Sequence, residues 1–208
     1  MKVQIKICGI NSKESAIASY GAKYIGFVFC KKSPRFIEPD VVNRIIPYLS
    51  KSQKKVGLFV NANINFIKKI TFDLGLDIIQ LHGDEDVDFI RNLKILTNIK
   101  IIKAIPVKTI EDVKISEEFK NFCDMILFDT KTNNQFGGTG KSFDWKLLKN
   151  FKSSKKWMIA GGLNITNIRE ALETLKPDIV DISSGEEKER GIKCEEKIKD
   201  FIKYVRKL

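Results

Sequence analysis

Short runs of Ile, Val, Leu and Phe recur along the chain, separated by stretches in which apolar residues return every three or four positions. The runs are Val3–Cys8, Tyr24–Phe29, Lys55–Val60, Asp77–Leu81, Ile99–Ile105, Asp124–Asp129, Lys156–Ala160 and Ile179–Ile182. Most are continuous rather than alternating, the pattern of strands covered on both faces. Between them, Asn63–Thr71 carries Ile64, Ile67 and Ile70, and Ile165–Leu175 carries Ile165, Ile168, Leu172 and Leu175. That spacing puts the apolar side chains on one face of a helix. The runs end at positions 8 to 182 in seven steps of about 25 residues, the length of a βα unit. No linker rich in Pro, Gly or Ser breaks the series. The pattern predicts an α/β fold, a single-domain (β/α)8 TIM barrel over residues 1–208. A doubly wound open sheet is the alternative, and it commonly needs fewer strands.

A barrel of this kind keeps its chemistry where strands end and the following loops begin. The residues to interrogate are therefore Cys8, Gly9, Pro34, Arg35, Gln80, His82, Gly83, Asp129, Thr130, Gly161, Gly162, Ser184 and Gly185. Composition narrows the setting. The 208 residues are 43% hydrophobic, ample for a packed core. No apolar run approaches the roughly 20 residues of a membrane span. The opening MKVQIKICGI lacks the unbroken apolar centre of a signal peptide. Cys8, Cys30, Cys123 and Cys194 form no CxxC pair, and there is one histidine. Those features argue against a zinc cage and a disulfide framework, and point to a reduced, cytoplasmic protein without a membrane partner. The 37 Lys and Arg outnumber the 26 Asp and Glu by 11, but the basic residues are scattered among acidic ones. A solvated Lys-rich surface is the plain reading, with steering of an anionic substrate next and nucleic-acid binding not expected.

Each rim residue has two readings. Cys8 is a small buried hydrophobe, or a general base or nucleophile, which would need a lowered pKa and some exposure. Cys30, Cys123 and Cys194 are taken as inert. Asp129, after four apolar residues, is a turn-capping carboxylate or a catalytic acid or base. Cys8 and Asp129 on different strands would present two titratable groups across one pocket, suited to moving a proton onto one atom and off another. FGGTGKSFDW (Phe136–Trp145), AGGLN (Ala160–Asn164) and DISSGEE (Asp181–Glu187) are rich in glycine. The last two follow the seventh and eighth strands, where such loops cradle a phosphate with backbone N–H groups. Arg35 is a surface arginine or a planar fork for a carboxylate. His82 is a general acid, a substrate contact or a loop hydrogen-bonding residue, the last two preferred.

KICGI, GFVFCKKSPRFI, LFVN, IIQLHGDE, ILFDT with GGTGKSFDW, AGGLN and VDISSGEE occur in this order. Together they resemble the phosphoribosylanthranilate isomerases of tryptophan biosynthesis, from about Lys6 to Gly185. The resemblance implies an Amadori rearrangement of N-(5′-phosphoribosyl)anthranilate to 1-(2-carboxyphenylamino)-1-deoxyribulose 5-phosphate, with no metal or organic cofactor. It implies Cys8 as general base, Asp129 as general acid and Arg35 as the partner of the anthranilate carboxylate. It also implies Gly161, Gly162, Ser184 and Gly185 as the phosphate loops and Asp181 as an acidic group near the sugar. Gln80 and His82 are read as substrate contacts, and the assembly as a monomer or homodimer. One departure is visible: the family often continues past SSG with Val-Glu and a Pro-Gly-Lys-Asp-like segment, where this chain has EEKERGIKCE. A metal-dependent phosphosugar epimerase would need more histidines. A related indole-forming lyase would carry other acid and lysine residues. An RNA- or DNA-binding module would need its basic residues clustered on one face.

Overall fold

The computed structural model describes residues 2–130 and 143–208. Eight parallel strands close on themselves in chain order: β1 (Gln4–Cys8), β2 (Tyr24–Val28), β3 (Lys54–Phe59), β4 (Ile78–Leu81), β5 (Lys100–Val107), β6 (Met125–Thr130), β7 (Trp157–Ile159) and β8 (Ile179–Ile182). The seam between β8 and β1 sets Lys6 beside Asp181. Closure leaves no sheet edge for another chain to extend. The expected barrel is present, with strand ends shifted by one or two residues from those read in the sequence.

Each strand is buried on both faces because two separate cores grip it. Ile5, Ile7, Ile25, Phe27, Ile79, Leu81, Ile126 and Phe128 face outward into the core shared with the helices. Their alternate neighbours Tyr24, Val56, Ile78, Ile102, Met125, Leu127, Met158 and Ile179 fill the barrel interior. Fully burying one such side chain contributes about 1.5–3 kcal/mol. This explains the continuous apolar runs: every position must be dry, though alternate positions serve different cores.

The helices are α1 (Lys13–Ala18), α2 (Pro39–Ile45), α3 (Ile64–Asp73), α4 (Val87–Thr97), α5 (Ile110–Phe119), α6 (Ile168–Thr174) and α7 (Glu195–Val205). Side-chain caps start several of them: Ser12 accepts from the Ser15 N–H, Asn63 from Asn65 and Asp86 from Phe89. The helix expected at Ile165 begins only at Ile168, and Ile165 is exposed. Asn164 and Asn167 account for the delay. The Asn164 Oδ1 accepts from the Thr166 N–H at 2.8 Å, and the Asn167 Oδ1 accepts from the Asn164 N–H at 2.9 Å. Such local bonds hold the backbone in a turn rather than a helix. After β8 a short hairpin, β9 (Glu187–Glu189) with β10 (Ile192–Lys193), precedes α7. Among the described residues no helix is long and apolar enough to cross a membrane.

Candidate active site

A cleft opens at the carboxyl-terminal rim of the barrel, with about 730 Å³ of empty space including its mouth, a size that suits a small molecule. Cys8, Arg35, Gln80, His82, Asp129, Gly161, Gly162, Asp181 and Ser184 line it. Strand alternation explains the convergence: Cys8, Gln80, Asp129 and Asp181 hold inward positions at or near the ends of β1, β4, β6 and β8.

At the floor, the Lys6 Nζ donates to the Asp181 Oδ2 at 2.7 Å, with both side chains buried. An isolated charge there would be costly, so neither group is tolerable without the other. Burial acts to lower the Lys6 pKa, but Asp181 and Cys8 more than offset it, and the ammonium is held above its ordinary value.

Two residues further along β1, Cys8 is 5% exposed. Gly26 on β2 leaves room for it: a Cβ at Gly26 would stand 2.9 Å from the Cys8 Sγ. Burial pushes the thiol pKa up, Lys6 and Lys193 pull it down, and the net shift is upward. This differs from the exposed, low-pKa thiol expected of a free-standing base. The cations that favour a thiolate are present, and desolvation outweighs them.

Across the cleft a hydrogen-bonded chain supports Asp129. The Gln80 Nε2 lies 3.0 Å from the His82 Nδ1, and the His82 Nε2 lies 3.1 Å from the Asp129 Oδ2. The Gln80 amide thus meets one ring nitrogen and the Asp129 carboxylate the other, so the imidazole is held between them. The Asp129 Oδ1 accepts from the Thr130 N–H at 2.7 Å. Asp129 is the more open of the two proposed proton carriers, its side chain 18% exposed against the buried Cys8.

Arg35 is not a surface residue. It is buried, and its Nε and Nη2 donate to the two carboxylate oxygens of Glu187 at 2.5 and 3.0 Å. The loops after β7 and β8 meet directly. Gly185 packs so closely that a Cβ would fall 2.2 Å from the Leu163 carbonyl oxygen. Gly161, at φ +86°, lies against Thr130 and Asp129, where a Cβ would fall 2.1 Å from the Thr130 Oγ1. Glycine is required there for both conformation and space. The Gly162 carbonyl accepts from the Asn164 and Asn167 side chains, at 3.2 and 2.9 Å. Among the described residues, no backbone carbonyl takes the N–H groups of Gly161, Gly162, Ser184 or Gly185 in these loops. Unpaired N–H groups beside an open cleft are the ingredients of an anion cradle.

The glycine segment Phe136–Trp145 lies outside the described residues except for Phe143–Trp145. Cys123 is buried, its thiol pushed up to about 11 chiefly by burial. Sequence reasoning gave no role to Lys6, Glu187 or Lys193. For Lys6 a signal existed, a charge between Ile5 and Ile7 in a strand. Glu187 and Lys193 sit in a charged stretch where nothing marked them as buried. Among the described residues, no group of three or more His, Cys, Asp or Glu is arranged to hold a metal ion.

Fold and cleft together define a (β/α)8 barrel whose thiol, carboxylates and glycine loops converge at the carboxyl-terminal rim. Residues 5–204 match the family model for N-(5′-phosphoribosyl)anthranilate (PRA) isomerase. A relative of that name from Thermoanaerobacter sp. (strain X514) is 44% identical over 206 residues, covering 98% of each chain. The crystal structure of phosphoribosyl anthranilate isomerase from Thermotoga maritima superimposes with a TM-score of 0.90 at 37% identity, covering 99% of this chain and all of that one. Another structure, a phosphoribosyl anthranilate isomerase in complex with reduced 1-(o-carboxyphenylamino)-1-deoxyribulose 5-phosphate, gives 0.85 at 34% identity with the same coverage. The chain belongs to the PRA isomerase family.

Proposed function

We propose that this chain catalyses the Amadori rearrangement of N-(5′-phosphoribosyl)anthranilate to 1-(2-carboxyphenylamino)-1-deoxyribulose 5-phosphate, a step of tryptophan biosynthesis. The observation that carries the proposal is that one cleft gathers Cys8, Asp129, Arg35 and the loops at Gly161–Gly162 and Ser184. That set offers an acid and a base between a site for a carboxylate and a site for a phosphate. In the route we propose, Asp129 protonates the furanose ring oxygen while the nitrogen lone pair expels it, opening the ring to a Schiff base. Cys8, as thiolate, removes the C2′ proton, and its electron pair moves to neutralise the iminium, giving an enolamine. Return of a proton to C1′ and loss of the enol proton give the ketose, so no atom is gained or lost. Arg35 holds the aryl carboxylate, and N–H groups of Gly161, Gly162, Ser184 and Gly185 hold the phosphate. Gln80, His82 and Asp181 complete the wall around the sugar.

Each positioned proton transfer contributes about 10²–10⁴-fold. No metal or organic cofactor enters the route, and activity should survive dialysis against a strong chelator. We place the protein in the cytoplasm, as a monomer or homodimer, with no nucleic-acid partner. The decisive assay is turnover of phosphoribosylanthranilate, followed by loss of anthranilate fluorescence. Folded protein that leaves the substrate unchanged would overturn the proposal.

A further inference from the structure

Glu187 opens the hairpin after β8 and is 8% exposed, although Glu is a residue that rarely leaves water. Its carboxylate is saturated. The Oε1 accepts from the Arg35 Nε at 2.5 Å, and the Oε2 accepts from the Arg35 Nη2 at 3.0 Å and from the Gly191 N–H at 3.0 Å. The Lys193 Nζ stands 3.5 Å from Oε1. Burial raises the Glu187 pKa, but Arg35, the Gly191 amide and Lys193 outweigh it, and the group is held below its ordinary value.

Arg35 carries five N–H donors in a rigid plane. Glu187 occupies the edge formed by Nε and Nη2. The edge formed by Nη1 and Nη2 has no carboxylate partner among the described residues, and Arg35 lines the cleft. Because the fork is planar, fixing one edge fixes the other. The hairpin is itself pinned to both sides of the site. The Asn11 Nδ2 donates to the Gly191 carbonyl at 2.7 Å, and Gly191, at φ +86°, packs on Pro34, where a Cβ would fall 2.3 Å from the carbonyl oxygen. At its other end the Lys193 Nζ donates to the Ser183 carbonyl at 2.7 Å, immediately before Ser184 and Gly185.

We propose that Glu187 is a positioning residue that fixes one edge of the Arg35 fork, so that the opposite edge selects a substrate bearing an aryl carboxylate. The proposal rests on the function assigned above, and it locates the selection in a residue outside the cleft wall. Glu187 meets no substrate atom and acts through Arg35. Its loss leaves the guanidinium in place but free to turn, so affinity for the carboxylate end falls while the proton transfers at the sugar continue.

The test is Glu187→Gln, assayed with phosphoribosylanthranilate and with the corresponding phosphoribosylaniline, which lacks the carboxylate. The expected result is a KM about 10–100-fold higher for the carboxylated substrate, the worth of one bond to a charged group, with kcat within a few fold. KM for the aniline compound should stay unchanged. Glu187→Asp, which keeps a buried negative charge for Arg35, serves if the amide variant does not fold, and should raise KM in the same selective way but less. A general loosening of the structure would raise KM for both substrates alike, and that result, or no change for either, would overturn the inference. Wild-type turnover is the control that separates the two claims: its absence sinks the assigned function, whereas wild-type activity with no selective change in the variants sinks only the role of Glu187.

Discussion

Two lysines of the barrel strands are buried, and each is paired with a buried carboxylate. Lys6 on β1 is fully buried and bound to Asp181 at 2.7 Å; Lys103 on β5 has a 3% exposed side chain and is bound to Glu85 at 3.1 Å. Each has a buried cysteine nearby, Cys8 two residues along β1 and Cys123 beside the Lys103 backbone. The difference is which face of the strand each occupies. Lys6 points inward with Cys8, under the cleft. Lys103 shares the outer face of β5 with Ile101 and Ile105. There its Nζ donates to the Gly83 carbonyl at 2.6 Å, while Glu85 accepts from the N–H groups of Asn61 and Gly83. The outer cluster is a brace between the loops after β3 and β4. Burial and pairing of a charge are therefore not a signature of chemistry; the position in the strand alternation separates the two clusters.

The most severe way to break this comparison is to exchange the effects of the two cysteines. Cys8→Ser replaces the proposed base by a very weak one and should lower kcat by about 10²–10⁴-fold, with substrate binding largely kept. Asp129→Asn should lower kcat over a comparable range with the fold intact. Cys123→Ser should leave kcat unchanged, since Cys123 is turned to the outer core. Steady-state kinetics on the three variants decides the matter; a defect confined to Cys123→Ser would invert the assignment.

Lys6 and Lys103 sharpen it next. Lys6→Met and Lys103→Met each strand a buried carboxylate, and each should cost about 3–5 kcal/mol in denaturant unfolding. Lys6→Met should also slow alkylation of Cys8 and move its pH dependence upward, because Lys6 is the largest of the groups pulling that thiol down. Lys103→Met should leave Cys8 alkylation unaltered. The double variant Lys6→Met/Asp181→Asn removes both charges, so it should recover stability and shrink the alkylation shift, because Asp181 itself pushes the thiol up. An equal shift from both lysine variants would show that the two faces are not independent.

Cys8 alkylation itself is a subtler probe. Buried Cys8 should react more slowly than partly exposed Cys30 and Cys194, yet ahead of Cys123, whose thiol is pushed to about 11. A bound product analogue should protect Cys8, and Cys30 with it because both line the cleft, while Cys194 stays reactive. Mass-spectrometric mapping of the labelled peptides reads the order, and Cys123 reacting before Cys8 would count against an accessible base.

The legible part of this molecule was set by periodicity and by the ends of strands. Apolar runs about 25 residues apart gave the barrel, and its rim then drew attention to Cys8, Asp129, Gly161 and Ser184. What stayed hidden depended on partners distant in sequence. Nothing near Arg35 announces that Glu187, 152 residues away, takes one edge of its fork. Lys6 was visible as a charge in a buried strand, but only the β1–β8 register supplies Asp181. Ile165 misled because helix periodicity carries no information about the Asn164 and Asn167 side chains that hold the turn open.

The smallest effect concerns a buried charge with an incomplete set of partners, the complement to both lysine pairs. Glu186 is 1% exposed, and its Oε2 has no hydrogen-bond partner among the described residues. Burial pushes its carboxyl up to about 7; Lys193 and Lys197 pull it down, and Asp200 adds to the rise. The folded protein thus binds this proton more tightly than the unfolded chain does. Its contribution is fully present below the ordinary Glu value of 4.5 and is lost as pH rises through about 7. Lys193, lowered by burial to about 8, works in the opposite direction above that value, which leaves pH 5 to 7.5 as the clean window. Glu186→Gln keeps the shape and removes the titration. At pH 5 its Tm should match the wild type, and at pH 7.5 it should be higher by about 4–8 °C, the equivalent of about 2 kcal/mol. Calorimetric scans at the two pH values suffice. A difference in Tm that is the same at both would mean that Glu186 is not titrating in this range.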